Sequence, residues 1–442
     1  MKKQINLFVL LFVASAIVNI NCKKNDYEGP HTEFYPPDVA VAWMNLQMEL
    51  NKTTPGFNPF VGDRTFGYSG IALYESVEPG IPNCQPIVFQ LSDFPASSLP
   101  QIQKGIYYWP ASANAAMALI TKDLFANTSQ ANMTTIDSLE VAFTQKFQSK
   151  TTAQELQNSV DFGRKVASAI FEWSRSDGGD QAYLHNTDPT YVPPVGPGMW
   201  IPTPTKFSPP TLPHWGDNRS FIAGIATATQ PAPPTAYSEE PKSTFYQMVN
   251  ELYQKSLILT HEDSLSAHFW GDIPGNFNAP SHATNILTQL IVLNKLDLGK
   301  AAIAYAKHGI AISDASISVF KTKYTYNLIR PISYIRNVMG HTTWNTVIPT
   351  PSHPEYSPAH AVASAASALV MEEIFGDHYS FADHSYDATW GPRTFNSFED
   401  YANEAAHSRF LAGIHFMPSL EAGLIQGKKV GNMVNKLRFK VH

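Results

Sequence analysis

The chain has 442 residues, 43% of them hydrophobic and 15% charged. That composition excludes a disordered chain and leaves ample apolar material for a large core. The net charge of −6 excludes a broad nucleic-acid-binding surface, and two cysteines are too few for a disulfide framework or a cysteine zinc site.

The N-terminus reads as a targeting segment. Lys2 and Lys3 precede an apolar run over residues 5–18 that is short for a spanning helix and ends just before Cys22. Such a segment, 1–22, is similar to a bacterial lipoprotein signal with Cys22 as the lipidated residue. An ordinary secretory signal with Cys22 incidental is the alternative. Either way the expected protein is exported, to the periplasm or outer membrane, and touches a membrane through a lipid anchor at most.

Helical periodicity dominates the body. Helices are expected over 39–50, 66–77, 107–125, 135–150 and 155–177, the last stopping at Gly178-Gly179. Residues 189–241 hold 13 of the 33 prolines and cannot form a regular helix. Their Trp200, Trp215 and Phe221 mark them as a packed connector. Helices resume over 244–257, 282–296, 299–324, 361–376, 397–414 and 419–437. The expected fold class is all-α: two helical bundles, in 23–188 and 242–442, joined by a proline-rich connector.

Three segments carry cations and histidines. The first runs from Lys323 to Arg330-Pro331, with Pro331 suited to a new helix start. The second, His353-Pro354-Glu355-Tyr356-Ser357-Pro358-Ala359-His360, leads into the 361–376 helix, where free N–H groups suit an anion. The third is Ser408-Arg409 followed by His415. Taken singly these read as a solvated basic face, a turn histidine and a structural ion pair of Arg409 with Asp272, Asp400 or Glu404.

In order and spacing, the three together resemble the signature of the type 2 phosphatidic acid phosphatase and vanadium haloperoxidase superfamily: K-x6-R-P, then P-S-G-H, then S-R-x5-H-x3-D. Segments 55–77, 196–221, 268–282, 314–336 and 421–431 also look like those of bacterial haloperoxidases of this group, so the resemblance spans most of the chain. It implies an oxyanion site made by Lys323, Arg330, Arg409 and the Ala359 N–H, with vanadate as cofactor on His415 and His360 as the acid–base residue. Hydrogen peroxide, a halide and a small organic acceptor would be the reactants. His353 and Phe320 would tune the halide, toward bromide or iodide. Asp272 would orient Arg409.

The same cradle holds phosphate, so an exported acid phosphatase acting on a phosphate ester is the runner-up. There His415 would be the nucleophile and His360 the proton donor. A non-catalytic lipoprotein that binds an anion or a partner is the third reading. Two positions depart from the pattern. Pro358 lacks the serine hydroxyl, for which Ser357 would have to substitute, and Ser419 stands at the terminal aspartate, the expected support of His415. Weak anion binding, or activity confined to iodide, is the expected consequence.

Overall fold

A computed structural model describes residues 29–271, 273 and 276–441. The targeting segment, Cys22 and Asp272 lie outside the described residues.

The first half is five helices: α1 (Asp38–Thr53), α2 (Pro59–Val77), α3 (Trp109–Leu124), α4 (Gln130–Gln148) and α5 (Ala153–Ser174). α2 begins seven residues earlier than the apolar periodicity suggests. Asn58 caps it by accepting from the Phe60 and Val61 N–H groups, and Pro59 occupies the first turn where its missing N–H costs nothing. Every residue from Phe60 to Val77 is buried, so α2 is a central helix.

The second half contains the short α6 (Ile225–Ala228), then α7 (Thr244–Ser256), α8 (His261–Phe269), α9 (Ala279–Leu293), α10 (Leu298–Tyr326), α11 (Pro331–Asn337) and α12 (Ala359–Phe375). A two-stranded antiparallel hairpin, β1 (Phe381–Asp383) and β2 (Arg393–Phe395), precedes α13 (Phe398–Leu411) and α14 (Met417–Val434). The hairpin and α8 were not among the sequence expectations. α8 carries a readable start signal, the capping box of Thr260 and Asp263.

The two halves share a core. α10 lies along α2 at backbone distance: a Cβ on Gly309 would sit 2.4 Å from the Phe66 carbonyl oxygen, and one on Gly70 would sit 2.6 Å from that of Tyr305. One continuous apolar cluster runs from Val39 in α1 to Phe439 near the C-terminus. A second gathers α7, α11 and the start of α14.

The connector is packed, as its aromatics suggest: Trp200, Trp215 and Phe221 are buried. It is pinned to α10 through the Trp215 indole on Ser316 (3.1 Å) and through the Phe221 and Ile222 N–H groups on the Asp314 carboxylate (2.7 and 2.9 Å). Among the described residues no helix is long and apolar enough to cross a membrane.

Candidate active site

Local backbone rules explain the spacing within each segment. Lys323 lies in the last turn of α10. Asn327 ends that helix in the left-handed conformation (φ 47°), and Arg330 is the residue that precedes Pro331, the first of α11. The cations therefore do not share a helix face; a helix end and a helix start bring them together.

In the third segment Arg409 occupies the last turn of α13. Gly413 (φ 78°) reverses the chain, with the Ile414 N–H returning to the Arg409 carbonyl (3.1 Å) and the Gly413 N–H to that of Phe410 (2.9 Å). This Schellman turn places His415 directly after the helix end. α12 starts at Ala359 with no side-chain cap, because Pro358 stands at the cap position. Its first N–H groups thus have no partner within the helix.

These segments close around a cavity of about 450 Å³, whose lining includes His353, Ala359, His360, Arg409 and His415. The connector supplies part of the rim, with Thr203 and Lys206, and Phe60 of α2 supplies an apolar wall. The cations are withdrawn from water: Lys323 is 0% exposed, Arg330 0% and Arg409 1%. Lys323 Nζ donates to the carbonyls of Pro354 (2.8 Å) and Glu355 (3.0 Å). Arg330 donates from Nε to the His353 carbonyl (2.8 Å) and from Nη1 to that of Ile414 (2.9 Å). Neither makes a direct ion pair with a carboxylate among the described residues. Arg409 Nη1 donates to the Trp270 carbonyl and lies 3.2 Å from His360 Nε2.

Guanidinium only donates, so a histidine nitrogen that bonds one does so as an acceptor. His353 Nδ1, 3.1 Å from Arg330 Nη2, is an acceptor, and so is His360 Nε2. His415 Nε2 also accepts from Arg330 Nη1 (3.2 Å), while its Nδ1–H meets Glu355 Oε1 at 2.9 Å. A carboxylate on Nδ1 makes Nε2, which here accepts from Arg330, the ring nitrogen able to ligate a metal.

Burial holds all three rings well below their ordinary pKa. For His415 and His353 the neighbouring charges of Arg330 and Lys323 add to this, and for His360 that of Arg409. The rings are therefore neutral. Burial also lowers Arg330 to about 10, and it holds Lys323 well below its usual value, with Arg330 adding to the effect and Glu355 opposing it. Burial raises the Glu355 carboxyl to about 7 against the pull of Lys323 and Arg330.

Ala359, His360, Arg409, His415 and His353 thus line one cavity, with Arg330 directly behind His353 and His415 and Lys323 behind the Pro354-Glu355 backbone. Three other expectations are corrected. Ser357 does not substitute for the serine that Pro358 displaces; its hydroxyl donates to Gln426, itself bound to Ser318 (2.8 Å) and Thr322 (3.0 Å). Ser419 does not touch the His415 ring. It donates to Glu355 Oε2 at 2.9 Å, and Glu355 is the carboxylate that supports His415. Phe320 is fully buried behind Phe60 (ring centroids 4.2 Å apart) and His353 (5.5 Å), so Phe60 and Val319 form the apolar wall in its place.

Glu355 is the functional residue the sequence reading passed over. Its signal was an acid between Pro354 and Pro358 inside a histidine-bearing turn. Of the carboxylates proposed for Arg409, Glu404 instead binds the Trp270 indole and Arg393.

A mainly helical fold gathers buried cations and an open helix N-terminus beside a metal-competent histidine, an arrangement suited to an oxyanion. Residues 304–441 match the family model of the VCPO second helical-bundle domain. The fold matches the crystal structure of a bacterial vanadium-dependent iodoperoxidase with TM-score 0.82 and 30% sequence identity, over 92% of this chain and 98% of that one. It also matches a holo-type bacterial vanadium-dependent chloroperoxidase (TM-score 0.67, 14% identity, 87% and 93% covered). The apo-type of a bacterial vanadium-dependent chloroperoxidase matches with TM-score 0.63 and 15% identity, over 91% and 94%. No curated protein matches. The chain belongs to the vanadium haloperoxidase superfamily.

Proposed function

We propose that the protein is a vanadate-dependent haloperoxidase that oxidises iodide, and less readily bromide, with hydrogen peroxide. The observation that carries this reading is the gathering of buried cations around a single buried carboxylate, Glu355, among the described residues. Lys323 and Arg330 are fully buried without a direct carboxylate partner, beside Arg409 and the open N-terminus of α12. Buried charge of that kind demands a multiply charged anion, and each charge-assisted hydrogen bond to it contributes roughly 1.5–3 kcal/mol.

The donor set fits vanadate. His415 Nε2 would hold the metal, and Lys323, Arg330, Arg409 and the Ala359 N–H would hold its oxygens. When bound, vanadate activates peroxide toward attack by halide without changing its own oxidation state.

The remaining work falls to the chain. Glu355 keeps the His415 proton on Nδ1. His360, neutral and partly open to the cavity, accepts a proton from entering hydrogen peroxide, giving up its bond from Arg409, and returns the proton as water leaves. Halide, peroxide and one proton give hypohalous acid and water, and the hypohalous acid halogenates a small organic acceptor. His353 and Phe60 line the path along which halide approaches. The similarity to an iodoperoxidase supports iodide as the preferred halide. Export, with Cys22 as a lipid anchor, belongs to the same reading and is testable by mass spectrometry of the N-terminal peptide.

The test titrates orthovanadate into metal-free protein in phosphate-free buffer with peroxide and iodide or bromide. Hydrolysis of p-nitrophenyl phosphate is followed in parallel. Vanadate-dependent iodide oxidation that disappears in His415→Ala is expected. Vanadate-inhibited hydrolysis without halide oxidation would transfer the site to a phosphatase using His415 as nucleophile. Silence in both assays would leave a binding protein.

A further inference from the structure

Arg409 takes its aim from a group whose own position is set outside the cavity. The Trp270 carbonyl accepts from Arg409 Nη1, the atom beside His360 Nε2. Trp270 ends α8, and its indole is gripped twice. Nε1 donates to Glu404 Oε1 at 2.8 Å. One ring face stacks on His282, with centroids 4.7 Å apart and planes at 25°.

Both grips lead to the hairpin. Glu404 pairs with Arg393 on β2. His282 Nε2 lies 2.7 Å from Asp383 Oδ2 on β1, and Asp383 and Arg393 face each other in the strand register. The contacts form a ring: Trp270, His282, Asp383, across the hairpin to Arg393, then Glu404 and back to Trp270.

The His282–Asp383 side is dry, with side chains 4% and 0% exposed, and neither residue is part of the cavity lining. Asp383 also accepts from the N–H (2.9 Å) and hydroxyl (2.5 Å) of Ser385. A buried, fully bonded pair of this kind fixes a ring plane more tightly than apolar packing does.

We propose that His282 and Asp383 are positioning residues for Arg409: they fix the plane of Trp270 and thereby the carbonyl that directs the guanidinium toward a bound oxyanion. The proposal rests on the oxyanion reading of the cavity. Small displacements of such supports cost much, because binding groups must be held to about half an ångström.

The test uses the full chain and two variants. Asp383→Ala removes the anchor. His282→Phe keeps a flat ring on Trp270 but loses the bond to Asp383. Two readouts are followed: orthovanadate affinity in phosphate-free buffer, and the rate at which phenylglyoxal modifies Arg409, by peptide mass spectrometry with Arg330 as internal reference. Both variants should bind vanadate about tenfold more weakly. Arg409 should react several-fold faster while Arg330 is unchanged. Wild-type behaviour at Arg409 in both variants overturns the proposal, as does an equal rise at Arg330 and Arg409, which would mean general loosening.

Glu404→Leu, which has no acceptor for the indole N–H, releases Trp270 from its other side and decides the matter if the first two variants do not fold. The same selective rise at Arg409 is expected, and its absence overturns the proposal. If wild-type protein fails to bind vanadate, the oxyanion reading falls, and the Arg409 reactivity still decides whether the pair positions it.

Discussion

His415 owes its orientation to Glu355, which receives three donors: the His415 Nδ1–H, the Phe416 N–H (3.1 Å) and the Ser419 hydroxyl. The support that the family pattern assigns to position 419 has moved to another carboxylate, and serine completes it. Glu355→Gln should therefore weaken vanadate binding about ten- to a hundredfold, as loss of an outer carboxylate does at metal-bound histidines. Ser419→Ala should cost less. Restoring the family's acid by Ser419→Asp should not tighten binding: it sets a second carboxylate against Glu355, and two such groups in contact do not both ionise. Isothermal titration with vanadate measures all three; wild-type affinity in Glu355→Gln would remove Glu355 from this role. The sequence showed which residues carry charge and in what order. It did not show Glu355, because its partner lies 60 residues away and no local pattern encodes that contact.

At the scale of elements, α10 organises the molecule by touching α2 and α12 at once. On one side its Gly309 admits the α2 backbone. Gly309→Ala forces a methyl group into the Phe66 carbonyl and should cost about 2 kcal/mol, a typical price of overpacking. Urea denaturation measures this, and an unchanged midpoint would mean that the helices separate freely. On the other side His308 Nε2 bonds the Ser367 hydroxyl of α12 at 2.9 Å. Burial lowers its pKa to about 3, so it stays neutral in the fold while the unfolded chain protonates near 6.5. The unfolded state then binds more protons between these values. Stability contributed here is full above about pH 6.5 and falls as pH drops toward 3, by at most about 1.4 kcal/mol per pH unit. His308→Gln should flatten that dependence in denaturation curves taken from pH 4 to 7; identical slopes in both proteins would exclude the histidine as the cause. Helix identities were readable because apolar periodicity is local. The early start of α2 needed the Asn58 cap to be weighed above the apolar run.

At the scale of the whole molecule, the cavity draws on both halves and the connector: Phe60 from α2, Thr203 and Lys206 from the connector, and the histidines and Arg409 from the second half. A chain of net charge −6 thus concentrates cations inward, away from its surface. A fragment of residues 242–441 would expose the face of α10 that α2 covers. We expect it to lack a sharp thermal transition by circular dichroism, while the full chain melts cooperatively. A cooperative, fully helical fragment would show that the halves fold independently.

By itself the sequence determined the helical class and the packed proline-rich connector, and its resemblance to a family singled out Lys323, Arg330, His360, Arg409 and His415 as candidates. Periodicity, proline content and charged-motif spacing are properties of neighbouring residues. The tertiary structure decided that Ser357 turns to Gln426, that Phe60 and not Phe320 faces the cavity, and that Glu355 and Trp270 hold His415 and Arg409. Each of those outcomes depends on which buried groups meet across 60 or more residues of chain, and that pairing exists only once the helices have packed.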